Sequence, residues 1–495
     1  MSLSGQGAAD HVQILEQWLK RPRMATERPR YFEPLMEINY AHAVVLAEQA
    51  IIRPDEAAAI FHALDAIRAD PDRIERHRQQ EDLYLMVEAA VIEEAGSAGG
   101  QLHIGRSRND ITATMTRMVA RAAVDDVRQD LLALIQDLVA LAGVHVDTIM
   151  PGYTHLRPAQ PTTFAHYLTG VASALSRDCD RLEQARRRAN ECPMGAAAFA
   201  GTSFPLDRGR TAELLGFDRP MLHTLDAVAS RDYVLEILGD VSNLATTLGR
   251  FAQDLYIWSS TEFGFVTLGP GVTGISSIMP QKRNPVVLER CRAKVAHVIA
   301  ALANAHLAAK GSGFTHCQDI SIDSVAPLWT AVEEVRGVLA VLRAVVSSLV
   351  VDTDRMKERS LEGFALATEV ADELVRSRGL PFRTAHTIVS RAVDRAATGP
   401  PGLSFSAHLS LAAQEVTNSP LDVPEEELGT WLDATRSVSQ RRGGGTPAPH
   451  DVRNVLSELE AWGRQAAQTI LTDVNTVVTA GNGLRETVRP LRGGE

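Results

Sequence analysis

Proline is missing from residues 72–150 and again from 221–269, and these two gaps set the scale of what the chain can build. A proline inside a helix removes a hydrogen bond and clashes with the preceding turn, so long stretches without it are where long helices can run. In the second gap Val234, Val241, Leu248 and Leu255 recur every seven residues, interleaved with Ile237, Leu244, Phe251 and Trp258. Alternating steps of three and four place all of these side chains on one stripe. They predict a helix over about 228–261, ~50 Å long at 1.5 Å per residue. Leu288, Cys291, Val295, Val298 and Leu302 form a similar stripe, as do Leu328, Val332, Val335, Leu339, Leu342 and Leu349. A further helix is predicted over about 113–145 from Met115, Met118, Val119, Ala122, Leu131, Ile135 and Leu138, with a register that drifts at its start. Period-two alternation is almost absent. The expected class is all-α, with three helical domains at 1–110, 111–360 and 361–495 and a long central bundle in the middle one. Helices of this length need apolar partners along their whole extent, more than one chain of this size supplies, so an oligomer is expected.

Composition removes several functions. Fifty Lys and Arg against 61 Asp and Glu give a formal charge of -11, which repels nucleic acid and anionic membranes, so neither partner is expected. No apolar run approaches the ~20 residues that span a bilayer, and "MSLSGQGAADHVQILEQW" lacks a basic flank followed by an apolar core. Neither export nor membrane insertion is expected. Cys179, Cys192, Cys291 and Cys317 stand far apart with no CxxC pair, which argues against a zinc site or disulfide framework and fits the reducing cytoplasm. "ATGPPGLSFS" and "QRRGGGTPAPHD" read as exposed loops.

Three polar stretches each stand at the start of a long helix: "HIGRSRNDITAT" at 103–114, "PGYTHLRPAQPTTFAHY" at 151–167 and "GPGVTGISSIMPQKRNP" at 269–285. Taken singly, each has an ordinary reading. Ser107 and Asp110 are helix caps, Arg106 and Arg108 solvated charges, and His155 a histidine at the surface or core edge. Taken together they suggest one site. Arg108, Asn109, Thr154, Lys282 and Asn284 supply the cationic forks and neutral donors that a small dicarboxylate needs, while His155, Ser276 and Ser277 supply groups for proton transfer.

The stretch "SSIMPQKRNP" resembles the signature loop of the fumarase and aspartase superfamily. "GGQLHIGRSRNDITAT", "GYTHLRPAQPTTFAHY", "DLYIWSSTEFGFV", "IMPQKRNPVVLE", "GLPFRTAHTIVSRAV" and "GGGTPAP" resemble the argininosuccinate lyase family, in that family's own order, from about residue 30 to about 460. The resemblance implies a homotetramer that cleaves a carbon-nitrogen bond of an N-substituted aspartate, releases fumarate and uses no metal or organic cofactor. It implies Ser276 as catalytic base, used as an alkoxide, with Lys282 and Asn284 at the carboxylate where negative charge develops. Ser107, Arg108, Asn109 and Thr154 match the rest of the dicarboxylate cradle, and Gln160 and Ser277 join the substrate-binding set. His155 matches the group that shuttles a proton to the departing amine, and Glu289 the acid that orients it. Gly269, Gly271 and Gly274 would let the loop swing shut over the site.

The departures from the family concern the amine. Ile275 stands where the signature has glycine, Tyr84 where the lyase usually has histidine, and Ile111 where glutamine normally follows "SRND". In "KGSGFTHCQDISIDS", the segment matched to the grip on arginine, the tyrosine, glutamine and lysine of the family appear as His316, Ser321 and Ser324. The leading reading is a lyase, or an enzyme run towards amine addition, acting on an N-substituted aspartate whose amine is not arginine, as in ethylenediaminesuccinate lyase. Argininosuccinate lyase proper is the alternative, and a non-catalytic, crystallin-like structural role the remote one.

Overall fold

The computed structural model describes residue 11, residues 13–399 and residues 402–493. Residues 1–10, on which the reading of the N-terminus partly rests, and residues 400–401 of the loop "ATGPPGLSFS" lie outside the described residues. The fold is all-α. The helices longer than ten residues are α1 Arg21–Glu48, α2 Pro54–Ala69, α3 Leu83–Ala95, α4 Arg108–Val144, α5 Phe164–Ala189, α6 Asp232–Trp258, α7 Val286–Ala309, α8 Ala326–Ser348, α9 Ala367–Arg378, α10 Phe382–Thr398, α11 Phe405–Thr417 and α12 Pro449–Leu491. Among the described residues, no helix is long and apolar enough to cross a membrane.

The heptad stripe is the inner face of α6: every one of its residues from Val234 to Trp258 is at most 7% exposed. It packs with α4, α5, α7 and α8 around one central core. The register drift at the start of α4 has a physical cause. Met115 and Met118 belong to an N-terminal core built by α1–α3, whereas Leu131, Ile135 and Leu138 belong to the central core, so the buried face rotates as the helix passes from one to the other. Ala122 is exposed at the changeover.

Core membership crosses the divisions drawn from the sequence. Helices α9–α11, with Leu428 and Trp431, enclose a small core of their own. Helix α12 does not join it: Val452, Leu456 and Leu459 pack into the central core, and Leu484 and Val488 into the N-terminal one. The stretch 361–495 thus divides, its last helix tying the other two bodies together.

Sequence periodicity did not indicate the antiparallel hairpin of β1 (Ile149–Thr154) and β2 (Arg157–Thr163). Pro151, Pro158 and Pro161 hide it, because proline cannot donate to a ladder and is confined to edges and irregular pairs. Its tip residues, His155 and Leu156, both have left-handed backbone, φ 56° and 57°. A tight hairpin turn of the type usually filled by Asn-Gly requires this, so two ordinary side chains are held in a costly conformation.

Candidate active site

The first polar stretch is the start of α4. Ser107 is its N-cap, with Oγ accepting from Asn109 N at 3.4 Å, and Asp110 returns the contact by accepting from Ser107 N at 2.9 Å. The cap reading of both residues therefore holds. Asp110 also accepts from Ala197 N (2.8 Å) and Gly195 N (3.1 Å), and burial raises its acid to about 6 against those stabilising bonds. Arg106 is not a solvated charge. It is buried, donates from Nη1 to Asn39 Oδ1 at 2.7 Å and lies over the Tyr84 ring. Arg108 is half-exposed, and its Nη1 donates to Glu81 Oε2 (3.0 Å) and Asp82 Oδ2 (2.9 Å). Asn109 Nδ2 donates to Ala198 O at 3.0 Å.

The segment 310–324 comes to this same end of α4. Burial, and then the nearby Arg231 and Arg108 guanidiniums, hold the His316 imidazole down at about 4. Ser321 lines a cavity of about 260 Å³ with Tyr31, Tyr84, Thr112, Met115 and Trp329. Thr112 lies one helical turn from Arg108, on the same face of α4. Ser324 differs from the sequence reading: it is fully buried and its Oγ donates to Ile320 O at 2.7 Å, so its proton is committed to its own backbone. Ile111 likewise turns into the N-terminal core.

The second stretch is the hairpin, where Thr154, His155 and Gln160 are exposed at and beside the tip. Tyr153, two residues before the tip, packs against Phe263 and Phe265.

The third is the loop before α7. It closes on itself through a short antiparallel pair, Gly274 with Asn284 and Ile275 with Arg283. Ser276 Oγ accepts from Met279 N at 3.0 Å and from Ile278 N at 3.4 Å. Ser277 and Lys282 are exposed and Asn284 half-buried. Glu289, in the first turn of α7, accepts from Tyr256 Oη at 3.4 Å. The three glycines differ in what they do. Only Gly271 has left-handed backbone, at φ 88°. A Cβ on Gly269 would meet Ser348 O at 2.6 Å, and one on Gly274 would meet Val286 Cγ2 at 2.9 Å, so these two permit close packing instead of swinging.

One chain therefore gathers Ser107, Arg108 and Asn109 with His316 and Ser321, and separately gathers Ser276, Ser277, Lys282, Asn284 and Glu289. Among the described residues, no hydrogen bond or ion pair links these two groups to each other or to Thr154, His155 and Gln160. Sequence reasoning passed over Glu81 and Asp82, which hold Arg108, and Tyr256, which holds Glu289; a carboxylate or phenol that positions another residue leaves no spacing signal.

Residues 14–300 match the family described as Lyase, and residues 364–439 match Argininosuccinate lyase C-terminal. Argininosuccinate lyase 1 of Shouchella clausii (strain KSM-K16) is 37% identical over 446 residues, covering 89% of this chain and 90% of its own. The chain belongs to the argininosuccinate lyase family. The argininosuccinate lyase of Methanoculleus marisnigri (strain ATCC 35101 / DSM 1498 / JR1) is 39% identical over 445 residues, covering 88% of this chain and 89% of its own. EDDS lyase in complex with formate superposes with a TM-score of 0.85 at 30% identity, over 94% of this chain and 92% of that one. An EDDS lyase variant with bound fumarate matches equally well. A class II fumarase from Schistosoma mansoni, at 18% identity and TM-score 0.67, shares the fold. This member of the argininosuccinate lyase family is a carbon-nitrogen lyase of the fumarase and aspartase superfamily.

Proposed function

We propose that the protein eliminates an amine from an N-substituted aspartate to release fumarate, or adds the amine to fumarate in reverse. Ser276 Oγ takes the proton from the carbon beside one carboxylate, the carbon-nitrogen bond breaks, and His155, oriented by Glu289, protonates the departing amine. Ser107, Arg108, Asn109, Thr154, Gln160, Ser277, Lys282 and Asn284 hold the two carboxylates and the charge that builds on one of them. The observation that carries this reading is the pair of backbone N–H groups, Ile278 and Met279, aimed at Ser276 Oγ. A serine acts as a base only as an alkoxide, and fixed N–H dipoles are what favour that form once water is excluded.

The separation of the three groups in one chain supports a site completed by other copies: a homotetramer in which each site draws on three subunits. The likeness to EDDS lyase, and His316 and Ser321 where arginine would be gripped, favour an amine other than arginine. The relatives named argininosuccinate lyase, at 37–39% identity, support the second reading, cleavage of argininosuccinate itself. The test is to offer the enzyme fumarate with arginine and, separately, with a panel of amines and diamines, and to assay argininosuccinate cleavage alongside. An amine that outperforms arginine supports the first reading. Efficient argininosuccinate cleavage with no better amine supports the second.

A further inference from the structure

Near Arg108, several polar atoms of buried or half-buried side chains lack a hydrogen-bond partner among the described residues. Arg117 is buried, gives Nη1 to the carbonyls of Arg188 (3.0 Å) and Ala189 (3.3 Å), and stacks over the Tyr233 ring. Arg231, 4% exposed, gives Nη1 to Ser230 O (2.7 Å) and Val228 O (3.3 Å). Its Nε and Nη2 have no partner among the described residues. Neither has Tyr233 Oη, on a residue 2% exposed, nor His316 Nδ1. The Thr116 hydroxyl lies near Tyr233 Oη without meeting hydrogen-bond geometry to it, and donates to Thr112 O at 2.8 Å.

A buried donor left unpaired costs about 1–3 kcal/mol, and a buried cation without a counter-charge costs more. Folded proteins keep such groups where something fills the gap. The chemistry of the orphans says what would. Nε and Nη2 form one edge of the guanidinium, the edge that meets both oxygens of a carboxylate, and a phenol O–H adds a third donor to the same kind of acceptor. The group also has a place in the proposed site: His316 lies within electrostatic reach of both Arg231 and Arg108, and Tyr31 and Thr116, beside Tyr233, line the cavity that runs along α4.

We propose that Arg231 Nε and Nη2, Tyr233 Oη and His316 form a buried subsite for a carboxylate of the bound substrate, adjoining Arg108. The inference rests on the proposed function for its ligand. The carboxylate belongs either to the succinyl half or to the amine half, in which case the amine partner is itself an acid.

Tyr233→Phe separates this from a structural role, because removing an unpaired buried hydroxyl leaves thermal stability unchanged or slightly raised. Succinate, N-methylaspartate and N-(carboxymethyl)aspartate are titrated calorimetrically into the full-length oligomer and its Tyr233→Phe and Arg231→Lys variants. A succinyl-half subsite weakens all three ligands about tenfold in Tyr233→Phe. An amine-half subsite weakens N-(carboxymethyl)aspartate alone. Arg231→Lys loses the fork and weakens the same ligands further. Equal affinities in all proteins would show that a water satisfies these donors and would overturn the proposal, as would the absence of any binding to the wild type. Tyr233-dependent binding by an enzyme that forms no fumarate would keep the subsite and remove the proposed reaction.

Discussion

Arg108 Nη1 donates to Asp82 Oδ2 at 2.9 Å, so the guanidinium assigned to a substrate carboxylate is already held by a carboxylate of its own chain. Asp82 has a second task, since its Oδ1 accepts from Leu85 N at 2.9 Å and caps α3. The two can be separated. Asn keeps the cap but not the charge, and Asn caps as well as Asp does. Asp82→Asn is therefore expected to leave stability within about 1 kcal/mol and to lower KM for fumarate about two- to fivefold, the size of a partly exposed ion pair. Steady-state kinetics in the addition direction check it; a raised KM would mean that Asp82 positions Arg108 and does not compete with the ligand.

Ser276→Ala removes the acceptor for Ile278 N and Met279 N on an exposed stretch of loop, where water can replace it. The melting temperature is expected to stay within a degree or two, while turnover falls by about 10²–10⁴-fold, the usual contribution of a general base. A variant with full activity would move the base elsewhere, with Ser277 as the first candidate.

Two histidines give the protein an acid-sensitive limb. Burial pulls His42, whose ring Nε2 meets Ile104 O at 2.9 Å, well below its ordinary value, and holds His316 at about 4. In both, the unfolded chain takes up protons first as pH drops below ~6.5, so stability falls from there and continues to fall towards the folded values. Asp110 has the opposite sign. Its acid is raised to about 6, so its protonated form favours the fold at low pH and that contribution is lost as pH rises through 6. Denaturant midpoints between pH 7 and 5 are expected to fall in the wild type and to fall less steeply in His42→Gln; an unchanged slope would remove His42 from the account.

The fold was legible where a single core faces a helix throughout, as along Val234 to Trp258. It blurred at Met115 to Ala122, where one helix serves two cores and no single stripe describes it. It failed at the hairpin, because Pro151, Pro158 and Pro161 leave no period-two pattern. For the site, residue types named the chemistry at Arg108, His155 and Ser276. They could not tell that Ser324 turns inward to Ile320 O, or that Gly269 and Gly274 are required by the nearness of Ser348 and Val286, because those are facts of packing.

The central claim is that His155 and Ser276, apart in one chain, act in one site assembled from several. The most direct measurement mixes two inactive proteins, Ser276→Ala and His155→Asn, under conditions where exchange of subunits has been verified, and assays fumarate formation. If sites are shared, hybrid oligomers contain some sites with both residues intact. For a randomly mixed tetramer whose sites take these residues from different subunits, about a quarter of wild-type activity is expected. Activity no higher than that of the separate variants, after verified exchange, would contradict shared sites and place His155 and Ser276 in the same subunit's site or outside the reaction.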